Sequence, residues 1–131
     1  MNCLFDSSAI FRAIKENNIE ALTGNYTLGL ARYELGNIIW KEHALQAKIS
    51  EQETKLLAKT INRTLTIMDI IEIAGSEEEI LETAIKLKIT FYDASYVYFA
   101  KAKELKLITE DSRLIKKITP LANVTTLDSI K

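Results

Sequence analysis

Apolar positions along this chain recur in two rhythms. Short apolar runs read as strands, and longer stretches with apolar residues three and four apart read as helices. Asn2-Cys3-Leu4-Phe5 is the first strand, ending in Asp6, and Ala9-Ile10-Phe11 with Ile14 marks an amphipathic helix after it. Asn17 to Asn25 is polar and ends in Thr-Gly-Asn, a loop, before a second short strand at Tyr26-Thr27-Leu28. A long helix is expected from Leu30 to about Lys48, with Leu30, Ala31, Leu35, Ile38, Ile39 and Ala44 or Leu45 on its apolar side. Ser50 and Glu53 have the capping-box spacing, so another helix should run to about Leu65. Met68 to Ile73 reads as a strand, and Ser76 with Glu79 is a second capping box opening a helix through Leu87. Thr90 is a plausible cap for a helix to about Lys103. Lys106 to Thr109 is a strand, Ser112 to Ile118 a short helix, and Asn123 to Leu127 a last strand beyond Pro120.

Strands therefore alternate with helices along the whole chain. That order favours an α/β domain, a parallel sheet covered on both faces with right-handed crossovers. In such sheets ligands bind beyond the carboxyl ends of the strands.

Four acids break the apolar pattern. Counting by three and four from Asp93 lands on Tyr96, Val97 and Ala100, the apolar side of its helix. A carboxylate facing a core is costly unless it is hydrogen-bonded, paired or bound to a metal. Glu34 lies four after Leu30 and four before Ile38, inside another apolar stripe, with Asn37 one turn on. Asp6 and Asp111 each end a predicted strand. Each acid also has an ordinary explanation. Asp6 can cap the first helix, Asp93 can complete a cap with Thr90, and Glu34 can reach out to solvent. All four at one rim point instead to a shared site. Carboxylates with nearby hydroxyls make a hard-oxygen environment, suited to Mg²⁺ or Mn²⁺. Such a site supports phosphodiester hydrolysis: one cation lowers the pKa of a water, and a second stabilises the leaving oxygen. Glu34 can bind metal or accept the water's proton, while Ser8 and Thr109 can hold carboxylates or waters in place. Arg32, Arg113, Lys116 and Lys117 are candidate phosphate contacts. The aromatic residues Phe91, Tyr92 and Tyr96 read as packing around Asp93, and Trp40 also reads as packing.

Composition narrows the partners. The chain has 131 residues, enough for one domain over 1–131, with 47% hydrophobic and 27% charged residues. One Pro and four Gly argue against long linkers. No apolar run reaches the roughly 20 residues of a membrane span, and no signal peptide is evident, which fits the cytoplasm. The single cysteine, Cys3, reads as a buried thiol. With one cysteine and one histidine, His43, no zinc site of the usual nitrogen and sulfur type can be built. His43 is expected at the surface, and nothing places it beside a nucleophile. A net charge of −1 argues against a purely electrostatic nucleic-acid binder, but less against a metal-dependent enzyme whose cations offset its acids.

Phe5-Asp6-Ser7-Ser8-Ala9-Ile10, Tyr33-Glu34-Leu35-Gly36-Asn37, Tyr92-Asp93-Ala94-Ser95-Tyr96 and Leu107-Ile108-Thr109-Glu110-Asp111 occur in this order. Together they resemble the motifs of PIN-domain ribonucleases, above all the VapC-type toxins of toxin–antitoxin pairs, over essentially the whole chain. The resemblance implies a three-layer PIN-like domain with a five-stranded parallel sheet in the order 3-2-1-4-5. It implies a Mg²⁺- or Mn²⁺-dependent endoribonuclease acting on structured cellular RNA, a homodimer, and a VapB-like antitoxin that blocks the acidic site. It assigns the family's acids to Asp6, Glu34, Asp93 and Asp111, with Ser8, Asn37 and Thr109 supporting them. Two other classes share features: a non-catalytic PIN-like partner, and a response-regulator receiver. The latter needs an aspartate at the end of the third strand, where this chain has Glu72-Ile73-Ala74-Gly75.

Overall fold

The structure is a computed structural model and describes residues 2–130. Five strands form one parallel sheet: β1 (Cys3–Phe5), β2 (Tyr26–Leu28), β3 (Asp69–Ile71), β4 (Lys106–Ile108) and β5 (Val124–Thr125). Their order is β3-β2-β1-β4-β5, as expected. Six helices cover it: α1 (Ser7–Lys15), α2 (Leu30–Trp40), α3 (Glu51–Thr66), α4 (Glu77–Leu87), α5 (Phe91–Ala102) and α6 (Ser112–Ile118).

The sheet makes three layers because its central strands bury both faces. Successive residues of a strand point to opposite sides. Phe5 and Ile108 pack with Ala9, Ile10, Leu35 and Leu65 from α1, α2 and α3. Their neighbours Leu4 and Leu107 pack on the other face with Ile80, Tyr96, Val97 and Leu114 from α4, α5 and α6. The pairing of β1 with β4 sets Phe5 opposite Ile108, so the residues after these strands, Asp6 and Thr109, emerge side by side at one rim.

Several expected ends shift. The helix from Leu30 keeps α geometry only to Trp40, and Lys41–Leu45 continues as a wider π turn. The Gln46 amide donates to the Lys41 carbonyl five residues back, and left-handed Ala47 (φ 50°) turns the chain away. Leu45 and Trp40 are left exposed, so Trp40 is not the packing residue that its hydrophobicity suggests. Short 3₁₀ turns occupy Ile19–Leu22 and Leu127–Ile130, where loop and strand were expected.

The capping box at Ser50 forms in full, the Glu53 amide donating to Oγ and the Glu53 carboxylate accepting from the Ser50 amide. The second expected box does not. Ser76 has φ −110° and ψ 11°, outside the extended geometry a side-chain cap needs, and the Glu77 carboxylate takes the Gly75 amide instead. Ser50→Ala should therefore cost about 1 kcal/mol in urea unfolding, and Ser76→Ala much less.

Candidate metal centre

The rim beyond β1 and β4 carries a carboxylate held on all sides by donors. Asp6 caps α1, its Oδ1 accepting from the Ala9 amide at 3.0 Å and from the Ser8 hydroxyl at 2.6 Å. Its Oδ2 accepts from the buried Thr109 hydroxyl. Cap and cluster member are thus one role, not alternatives. Three donors fill three of about four acceptor positions on a carboxylate, which leaves one on Oδ2. Asp6 is 7% exposed. Burial pushes its pKa up to about 6 against the pull of Ser8, Thr109 and the Ala9 amide, and the charge of Glu34 adds to the rise.

Glu34 enters from α2, half-buried, and its Oε1 accepts from the Tyr96 hydroxyl of α5 at 2.8 Å. Burial raises its pKa, the Tyr96 and Ser7 hydroxyls oppose this, and the charge of Asp93 adds to it. Asp93 is half-buried in the first turn of α5, where its amide donates to the Thr90 hydroxyl. Its pKa is raised by burial first and then by the charge of Asp111. Asp111 is exposed and caps α6, its Oδ1 accepting from the Arg113 and Leu114 amides. Its own amide donates to Thr109 Oγ1 at 3.1 Å. Thr109 thus bridges Asp6 and the turn that carries Asp111.

Like charges consequently act in series, Glu34 on Asp6, Asp93 on Glu34, and Asp111 on Asp93. Among the described residues, none of these acids makes an ion pair with a lysine or arginine. No three acids are gathered tightly enough to form a ready-made cage, again among the described residues. A cation among them would offset their like charges. The donor set, carboxylate oxygen with hydroxyl support and no sulfur, fits a hard divalent cation. A cavity of about 380 Å³ opens beside it, with Asp93 and Asp111 on one wall and Lys88, Arg113 and Lys117 around it. Arg32, at the start of α2, does not line this cavity but a second one, with Tyr33, Glu72 and Tyr92. Asn37 is exposed and has no hydrogen bond to the acids.

No protein-family model matches the sequence. Among curated proteins, the chain is 33% identical over 100 residues to exonuclease VapC9 of Pyrobaculum aerophilum, covering 76% of this chain and 71% of that one. It is 31% identical over 96 residues to ribonuclease VapC3 of the same organism, covering 73% and 72%. The chain belongs to the VapC family of PIN-domain proteins. Solved structures agree on the fold. A crystal structure from Pyrobaculum aerophilum aligns with a TM-score of 0.83 at 24% identity, over 99% of this chain and 92% of that one. A toxin–antitoxin complex from Klebsiella pneumoniae aligns with a TM-score of 0.68 at 19% identity, over 95% and 96%.

Two supports of these acids were not read from the sequence. Tyr96 holds Glu34 through its hydroxyl, beyond the packing role its position suggests. Arg12 reaches Glu110 Oε1 and Asp128 Oδ1 at 2.6 Å each, and Glu16 Oε2 at 2.8 Å. The Glu110 amide in turn donates to Ser8 Oγ at 3.0 Å, and Ser8 donates to Asp6. Two partners of Arg12 lie 98 and 116 residues away, so no local pattern marks the contact.

Proposed function

We propose that this chain is a Mg²⁺- or Mn²⁺-dependent endoribonuclease and the toxin of a toxin–antitoxin pair. The observation behind it is the series of coupled acids from four different segments, with a buried Asp6 at its base. Similarity to proteins named exonuclease VapC9 and ribonuclease VapC3, and to a toxin–antitoxin complex in fold, supports the nuclease class.

In this reading Asp6, Glu34, Asp93 and Asp111 hold the cation. When bound, it supplies Lewis acidity that favours ionisation of water and offsets charge on the phosphate. The chain's own groups do the rest. Ser8, Thr109 and the Ala9 amide fix the Asp6 carboxylate, and Tyr96 fixes Glu34 through Oε1. Glu34, its pKa raised by burial, accepts the proton of the attacking water. Arg113 and Lys117, beside Asp93 and Asp111, meet the phosphates of the strand. A VapB-like antitoxin covering the acids, a homodimer and a cytoplasmic setting belong to the same reading. Among the described residues no helix is long and apolar enough to cross a membrane.

A circular single-stranded RNA tests both class and mode, since it offers no end to an exonuclease. The purified chain should linearise it in Mn²⁺ and leave it intact in EDTA. An intact circle in Mn²⁺, with linear RNA shortened from its ends, would overturn the endonuclease reading. Thr109→Val removes the hydroxyl between Asp6 and the Asp111 turn while keeping the side chain's shape. Initial rates at saturating RNA should fall about 10- to 100-fold, the usual cost of losing a group that orients a ligand.

A further inference from the structure

Next to the acids lies a second cavity, of about 430 Å³, between the start of α2, the end of β3 and the start of α5. Its rim carries Tyr33 and Tyr92, which are 79% and 59% exposed. Each tyrosine directly precedes a candidate metal ligand, Glu34 or Asp93. Tyr92 is therefore exposed rather than packed around Asp93 as the sequence suggests, whereas Tyr96, 2% exposed, is buried in the core with its hydroxyl on Glu34. Leu30 and Ile73 make the cavity apolar, and Glu72 stands on its wall. The Glu72 carboxylate lies over Gly29, both oxygens 3.2 Å from where a β-carbon would sit, so a side chain there would push the carboxylate aside by a few tenths of an ångström.

We propose that this cavity takes one unstacked base of the RNA strand beside the cut, stacked on Tyr33 and Tyr92 with its edge towards Glu72. The proposal rests on the nuclease reading above. Exposed aromatic rings with nothing packed on them cost burial that a base would recover, and stacking on tyrosine is how single-stranded RNA is commonly gripped. A carboxylate on the wall repels a phosphate and accepts from a base N–H. It favours bases with an exocyclic amine over uracil, whose one edge donor, N3–H, is flanked by two carbonyl oxygens that the carboxylate repels. Tyr33 and Tyr92 sit on the opening turns of α2 and α5, which also carry Glu34 and Asp93, so the base would lie at the same edge of the sheet as the acids.

The test is binding of fluorescent single-stranded tetraribonucleotides to the full chain, by anisotropy, with Ca²⁺ in place of Mn²⁺. Tyr33→Leu and Tyr92→Leu should each weaken binding roughly tenfold or more, while Tyr33→Phe and Tyr92→Phe stay within about twofold of wild type. Tetraadenylate and tetracytidylate should bind more tightly than tetrauridylate, and Glu72→Ala should remove that difference. All three side chains are exposed, so thermal unfolding should hardly change. Leucine variants that bind RNA like wild type overturn the proposal, as do phenylalanine variants that lose as much as leucine. Leucine variants that lose a protein partner but no RNA affinity overturn it too, since the groove would then be a protein-docking surface. Failure to cut either circular or linear RNA, with the binding pattern intact, would sink the nuclease reading and leave the base site standing.

Discussion

Asp93→Asn is expected to leave a folded protein whose Mn²⁺-dependent RNA cleavage is at least about a hundredfold slower. Losing a side chain that merely orients a ligand costs about 10- to 100-fold, and losing the ligand itself should cost no less. Asparagine matches aspartate in shape but removes the charge and replaces one acceptor oxygen with an N–H donor. The cap of α5 survives, because the bond to the Thr90 hydroxyl comes from the Asp93 backbone amide. The substitution also relieves repulsion from Asp111, so thermal unfolding without metal should move by no more than a few degrees. Initial rates on one RNA, with variant and wild type purified side by side against a contaminant control, check this. Equal cleavage by both would remove Asp93 from the site.

Asp6→Asn should separate stability from activity still more sharply. The folded pKa of Asp6, about 6, lies above its ordinary value of 3.8. The folded protein thus holds this proton more tightly than the unfolded chain does. That contribution is fully present below about pH 4 and is lost as pH rises through 6. At pH 8 the buried charge costs about 3 kcal/mol relative to a neutral carboxyl. Asparagine still caps α1 and carries no charge. In EDTA at pH 8 the variant should therefore melt several degrees above wild type, and the gap should close towards pH 5. Cleavage should be lost at every pH. Added Mn²⁺ should raise the melting temperature of wild type at pH 8, because a cation that binds only the folded state stabilises it by mass action. The variant should respond far less. A variant less stable than wild type at pH 8, or equally raised by Mn²⁺, would show that Asp6 is an ordinary cap.

Much of the fold was legible because each local signal agreed with the global one. Cys3-Leu4-Phe5 before Asp6, and Lys106 to Thr109 before Glu110-Asp111, mark strand ends at the same sheet edge; β4 ends one residue earlier, at Ile108, and its register with β1 makes Asp6 and Thr109 neighbours. Glu34 and Asp93 were visible as charges on apolar faces. What stayed hidden depends on backbone angles or distant partners. Ser76 carries the letters of a capping box, but its backbone is not extended. Trp40 carries the letter of a core residue, but α2 turns it to solvent. Tyr92 and Tyr96 read alike in sequence. Four residues apart on α5, one lies exposed before an acid while the other is buried with its hydroxyl on Glu34. The Arg12 clasp joins residues too far apart in the chain for any spacing rule.

If acids from four segments make one cation site, the metal-free protein should bind Mn²⁺ and should need more than one of those acids to do so. Calorimetric titration with Mn²⁺ at about pH 7.5 to 8, above the raised pKa of Asp6, measures this. Wild type should show saturable binding, weakened at least about tenfold in Asp6→Asn and in Asp93→Asn alike. Undiminished binding in both variants would contradict a shared site.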